Sequence, residues 1–277
     1  MWLVVFGILS VQLGAGIAKN LFDEASPTTL VWLRLATSAV VLGAVVRPSL
    51  RRRTAYDWRV AVAFGVTLGT MNWAIYQSFA RIPLGIAVTI EFLGPLSLAV
   101  AGSRRARDLA WAVLAAIGVT LLGLERGHLT WAGVGFAVLA AGMWAAYIML
   151  SAATGRRWAG LDGLTVASVV ATVLLSPFLL VWSGRGLGTP HVLLAGALVG
   201  LLSSVVPYSC EMTALRTIRP SVFGILMSVE PAAAAVVGIV VVHEFLTGVQ
   251  WLALVCVVVA SVGATRSESR LAAPVRD

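Results

Sequence analysis

Two glutamates stand where an ionisable side chain is hardest to keep. Glu91 falls about nine residues into the apolar run 83–101, and Glu230 about eleven into the run 219–242, so both sit mid-depth in nearly unbroken hydrophobic sequence. At the centre of a bilayer such a group costs roughly 3 kcal/mol or more unless it faces protein or a water-filled cavity. A carboxyl kept there suits two chemistries, carrying a proton or facing a substrate ammonium. The structural alternative is a protonated glutamate hydrogen-bonded between helices. Each glutamate is followed by a proline, Pro95 or Pro231. A proline inside a helix has no N–H and strands the carbonyl four residues earlier: Pro95 that of Glu91 itself, Pro231 that of Met227. Pro207 and Pro177 act in the same way in two other runs. Freed carbonyls are tolerated at membrane depth only where they line a cavity or find a partner, so Pro95, Pro207 and Pro231 read as helix breaks beside a site, or as simple kinks.

Polar and aromatic residues recur around these at helical spacing. Asn72 and Tyr76 are four apart, while Trp144 with Tyr147 and Tyr208 with Glu211 are three apart, so each pair shares a helix face. Gln12 lies mid-depth in the first run. Either these residues line a cavity or they hydrogen-bond from helix to helix. Glu211 lies near the end of its run, as an interfacial group or a further proton carrier. Lys19 and Arg34 fall toward the ends of the first two runs, where long stems can snorkel to the headgroups or else attract an anionic substrate group. His128, His191 and His243 form no metal-ligand spacing, and neither a nucleophile–base arrangement nor a phosphate-binding glycine motif is present, so the sequence offers no cofactor, no metal and no enzyme chemistry.

The elements that must position these residues are membrane-spanning helices. Hydrophobic residues make up 59% of the 277, charged residues only 12%, and the mean hydropathy is +0.94. A soluble domain carries roughly 25% charged residues. Apolar runs lie near 2–19, 29–47, 58–80, 83–101, 109–124, 130–152, 161–183, 191–213, 219–242 and 246–265. Each is long enough to cross a ~30 Å hydrocarbon layer as helix. The alternating ~10-residue segments of a barrel are absent. The fold class predicted is all-α, a polytopic membrane protein of ten transmembrane helices.

The net charge of +8 distributes by loop. Arg47, Arg51, Arg52, Arg53 and Arg59, then Arg104, Arg105 and Arg107, then Arg156 and Arg157, Arg216 and Arg219, and Arg266, Arg270 and Arg276 share one side; Lys19, Arg81, Arg126 and Arg185 lie on the other. The positive-inside rule puts both termini in the cytoplasm, and the basic balance becomes topology rather than a nucleic-acid surface. The first run lacks a basic leader and further runs follow, so it reads as a permanent helix rather than a cleaved signal. Cys210 and Cys256 lie in apolar runs and read as reduced thiols. Trp2, Trp32, Trp58, Trp111, Trp131, Trp158, Trp182 and Trp251 fall near run ends, as in an interfacial belt, whereas Trp73 and Trp144 are either cavity lining or helix packing.

Superposing Pro95 on Pro231 aligns 82–86 with 218–222, and both stretches lead toward a glutamate before a proline. Five runs in each half, residues 1–127 and 128–277, would insert with opposite orientations. That gives two inverted five-helix repeats with a site between them at mid-depth.

The strings that carry a resemblance are Ser10-Val11-Gln12 with Ala18-Lys19, Leu33-Arg34-Leu35, Gly69-Thr70-Met71-Asn72, Pro83-Leu84-Gly85-Ile86-Ala87-Val88 with Glu91-Phe92 and Gly94-Pro95-Leu96, Pro207-Tyr208-Ser209 with Glu211-Met212, Phe223-Gly224, and Leu226-Met227-Ser228 with Glu230-Pro231. From about residue 9 to 265 the chain resembles the drug/metabolite transporter superfamily in its ten-helix, EamA-type form, and within it the bacterial inner-membrane exporters of threonine and homoserine. The resemblance implies a secondary transporter exporting small amino acids by alternating access, coupled to protons, with Gln12, Asn72, Tyr76, Glu91, Trp144, Tyr147, Tyr208 and Glu230 lining a central cavity. Glu91, Glu230 and Glu211 are the candidate proton-coupling groups. The substrate, protons and membrane lipid are the partners expected. His243-Glu244-Phe245 and the bulky Trp73 depart from those exporters and put the exact cargo in question. A zwitterion needs a carboxylate near its ammonium, which Glu91 or Glu230 supplies, and donors near its carboxylate, which Gln12, Asn72 and the tyrosines supply. The rival readings are an exporter of other metabolites or drugs, a passive channel, and a membrane-embedded enzyme.

Overall fold

The computed structural model describes residues 2–51, 53–101, 106–124, 129–181, 184–215 and 226–269, and every element among them is helical. The order is α1 (Trp2–Asn20), α2 (Pro27–Val46), α3 (Ala55–Phe79), α4 (Leu84–Glu91), α5 (Leu93–Ala101), α6 (Ala106–Leu124), α7 (Trp131–Gly155), α8 (Asp162–Val181), α9 (Pro190–Gly200), a π-helical turn (Leu201–Val205), α10 (Val206–Leu215), α11 (Glu230–Val237), a second π turn (Gly238–Val242) and α12 (Gly248–Ser269). Five stretches, Trp2–Asn20, Pro27–Val46, Trp131–Gly155, Asp162–Leu179 and Pro190–Glu211, are long and apolar enough to cross a bilayer by length and composition alone. Leu84–Leu98, Ala110–Leu121, Glu230–Val242 and Gly248–Ala264 are shorter apolar helices. Pro220, Phe223, Gly224, His128, Trp182, Arg52, Arg104, Arg105, Arg126, Arg216, Arg219, Arg270 and Arg276 lie outside the described residues.

Helix starts follow from local chemistry. Ser26 caps α2 by accepting from Thr29 N–H, with Pro27 opening the helix where its missing N–H loses nothing. Thr54 and Asp57 form a reciprocal capping box on α3, and Thr130 accepts from Gly133 N–H on α7. On the same side of α3, Arg157 pairs with Asp57, Arg53 with Asp162, and the Arg53 guanidinium lies over the ring of Trp158. Trp158, placed by its sequence position in the interfacial belt, is buried there among Arg53, Trp58, Ala61 and Val166, whereas Trp2 and Trp131 are exposed.

The bundle turns apolar side chains outward, among them Phe6, Val40, Val45, Leu194, Val240 and Phe245. Its interior is held by close backbone approach as much as by bulk, as expected where lipid tails already satisfy apolar surface. Gly65 and Gly69 of α3 face Val170 and Ala171 of α8, and Gly196 and Gly200 of α9 face Leu33 and Thr37 of α2. A Cβ on Gly65 would lie 2.6 Å from the Val170 Cβ and 2.8 Å from the Ala167 carbonyl. Gly65→Ala is expected to destabilise the protein by about 1–3 kcal/mol through overpacking. Its melting temperature in detergent should fall; an unchanged value would show that α3 and α8 have room to separate.

Candidate functional site

Pro95 and Pro231 open helices, whereas Pro207 sits inside an unbroken helical stretch. Phe92 breaks the helix between α4 and α5, so Pro95 is the third residue of α5. Ser228 and Val229 form a turn, so Pro231 is the second residue of α11. Pro207 is the second residue of α10, after the first π turn. For Pro95 and Pro231 the missing N–H is tolerated because in a first turn that group has no helical partner. Pro177 stays inside α8.

Pro207 has a further consequence. Its absent N–H would have bonded the Leu202 carbonyl in π register or the Ser203 carbonyl in α register. Both oxygens are taken by side chains from other helices: Ser10 Oγ donates to Leu202 O at 2.7 Å, and Arg34 Nη2 donates to Ser203 O at 2.7 Å. Arg34 Nε also donates to Ser204 Oγ at 3.0 Å. Arg34, which the sequence left as either a snorkelling cation or a group attracting an anionic substrate, is therefore 7% exposed, and its guanidinium lies 5.7 Å from the centroid of the Tyr76 ring. The reason is the π turn, which presents acceptors that the headgroups would otherwise supply. Lys19 likewise stays inside, ion-paired to Glu244 and donating to Ile82 O at 2.7 Å.

Around Arg34 the polar groups gather. Gln12 Nε2 donates to Glu230 Oε1 at 3.1 Å, and both residues are buried. Gln12 Oε1, Glu230 Oε2 and the Tyr76 hydroxyl are buried without hydrogen-bond partners among the described residues. Glu230 lies within electrostatic range of Glu91, Glu211 and Arg34, and Tyr147 and Tyr208 within range of one another, of Glu211 and of Arg34. Trp144 meets Phe92 edge to face at 5.4 Å, next to Glu91, and Tyr147 packs on Phe64 at 5.2 Å. Asn72 donates instead to Leu68 O of its own helix at 2.8 Å. Trp73 donates to Thr28 Oγ1 and stacks edge-on against Phe136, which places it in the packing between helices. Cys210 and Cys256 are free thiols.

The sequence left Arg34 between a snorkelling cation and a group that attracts an anionic substrate. The available signal was its depth: Arg34 is the eighth residue of α2, two turns from the helix start.

A bundle that turns apolar surface outward and gathers one guanidinium and three carboxylates at its centre has the organisation of a membrane transporter. Comparison with known proteins agrees. Residues 131–266 match the EamA-like transporter family. Over 96% of its length the chain is 39% identical to the threonine/homoserine exporter RhtA of Salmonella typhimurium (strain SL1344), spanning 92% of that protein. It is 38% identical to the threonine/homoserine exporter RhtA of Escherichia coli (strain K12), over 98% of this chain and 95% of that one. The chain belongs to the EamA-like transporter family, and it is a transporter rather than an enzyme. A protein of known crystal structure superposes with a TM-score of 0.67 at 18% identity, covering 98% of this chain and 99% of that one, so the fold extends over the whole length.

Proposed function

We propose that this chain is an inner-membrane secondary transporter that exports small amino acids of the threonine and homoserine kind, coupled to protons, by alternating access. The observation that carries the cargo class is near-full-length identity of 38–39% to exporters named for those two amino acids. The polar centre fits that cargo, because a zwitterion brings both charges and an apolar bundle must answer both. Gln12, Asn72, Tyr76, Glu91, Trp144, Tyr147, Tyr208 and Glu230 form the substrate region. Glu91, Glu230 and Glu211 are the proton-coupling groups.

The scaffold reading is ten membrane crossings in two inverted repeats, residues 1–127 and 128–277, with both termini in the cytoplasm. The pattern of helix packing supports it. Exchanging each helix for its counterpart five crossings on turns the α3–α7 contact into that of α9–α10 with α1, α3–α8 into α9 with α2, and α4–α5 on α7 into α11 on α1. The pairs α2–α8, α4–α11 and α6–α12 map onto themselves. The glycine pairs follow the same exchange, Gly65 and Gly69 on α8 matching Gly196 and Gly200 on α2. The family match also begins at Trp131, the first residue of α7, as a repeat boundary near 128 requires.

Counterflow of labelled threonine and homoserine into preloaded proteoliposomes, with and without a pH gradient, tests the function. Exchange of both amino acids is expected. Absence of flux for every amino acid tried, with flux of another metabolite or drug, would favour the rival cargo on the same scaffold.

A further inference from the structure

Arg34 is a cation without a counter-ion in contact. It is 7% exposed, and among the described residues no carboxylate lies within ion-pair distance of it. A buried, unpaired charge is strongly unfavourable, and the ordinary remedy is a direct pair with an acid. Here three acids, Glu91, Glu211 and Glu230, lie close enough to interact with the other groups of the centre, yet the guanidinium is turned to the π turn instead. Two of its five donors are spent on Ser203 O and Ser204 Oγ, which fix the plane of the group. Nη1 has no protein partner among the described residues, and the Tyr76 hydroxyl, on the ring the guanidinium faces, is buried without one. Close packing of α9 on this turn of α2, where a Cβ on Gly200 would lie 2.9 Å from the Arg34 carbonyl, holds the backbone in place.

We infer that Arg34 is the anchor for the α-carboxylate of the substrate, its free guanidinium edge and the Tyr76 hydroxyl receiving that group while the ammonium faces the carboxylates of Glu91 and Glu230. This rests on the amino-acid reading above and adds a residue to it. A planar guanidinium held by two fixed acceptors on one side presents its other edge ready-made for a carboxylate. Keeping cation and anions out of contact preserves both for a zwitterion, whose own charges are separated in the same sense. An uncharged or purely cationic cargo would leave Arg34 unanswered at every turnover.

The test uses the full chain in proteoliposomes, with labelled threonine as the transported species and unlabelled threonine or threoninamide as competitor. Threoninamide keeps the ammonium and side chain and removes the carboxylate charge. The wild type is expected to accept threoninamide roughly 10- to 100-fold more weakly than threonine, the range expected for a charge-assisted hydrogen-bonded contact. Arg34→Gln should lower threonine affinity to about the level of the amide and erase the discrimination; Arg34→Lys should keep part of it. Equal competition by the two compounds in the wild type overturns the assignment and leaves amino-acid export standing, and it does so even if Arg34→Gln fails to fold. Discrimination that survives in a folded Arg34→Gln protein overturns it as well. No flux of any amino acid overturns this inference together with the export reading.

Discussion

Glu91→Gln is expected to abolish export driven by a proton gradient while leaving expression and folding intact. Among the described residues nothing hydrogen-bonds the Glu91 carboxyl, which closes α4 just before the break at Phe92. Glu230 differs, since Gln12 holds one of its oxygens. The freer acid is the better candidate for exchanging a proton or an ammonium at each cycle. Gln matches the shape of Glu and removes a group that is costly at membrane depth, so the variant should accumulate as well as the wild type. Reconstituted protein should show at least ~100-fold less gradient-driven threonine efflux, the scale on which loss of a positioned proton-transfer group is felt. Counterflow without a gradient separates the two roles: retained exchange assigns Glu91 to the proton, and lost exchange assigns it to the ammonium. Normal gradient-driven flux would remove Glu91 from the coupling mechanism.

Much of this was legible in the sequence because it depends on local quantities. Run length and apolar composition give helices, and a carboxylate in mid-run is conspicuous wherever its neighbours lie. What could not be read depends on partners distant in sequence. The sequence leaves Arg34 between snorkelling and meeting an anionic substrate, and only the fold, with α9 and the π turn, brings Ser203 and Ser204 to it from about 170 positions away. Lys19 looks the same until Glu244 arrives from the far end of the chain. The prolines signal a break, but not on which side of themselves the helix resumes. Pro231 would kink a continuous helix, yet it opens a new one once Ser228 and Val229 turn. Trp158 sits at the position of an interfacial residue and is buried by Trp58 and Ala61 of α3 and Val166 of α8 together with Arg53.

The second large effect concerns that far-end contact, and the double variant is more telling than either single one. Glu244 accepts from two directions: one oxygen meets Lys19 Nζ, and the other takes the Leu84 N–H at the start of α4 at 2.8 Å. Lys19 also holds the Ile82 carbonyl, and its neighbour Asn20 donates to Val241 O in the second π turn. The end of α1, the start of α4 and the segment after α11 are thus tied at one point, beside a cavity of about 420 Å³ that Phe79, Arg81 and Gln250 also line. Removing one partner leaves a mostly buried charge unanswered. Lys19→Met and Glu244→Leu are each expected to destabilise the protein by about 3 kcal/mol, the lower end for a buried pair because Glu244 keeps some solvent contact. Replacing both removes the stranded charge, so the double variant should recover more than half of that loss, measured as melting temperature in detergent. If the two losses simply add, the pair contributes nothing as a pair and each residue acts through its other contacts. In the proposed topology this tie closes the outer end of the bundle, so a stable double variant should also exchange threonine across that face faster than the wild type. Unchanged exchange in a protein of recovered stability would leave the tie as a structural clasp with no part in gating.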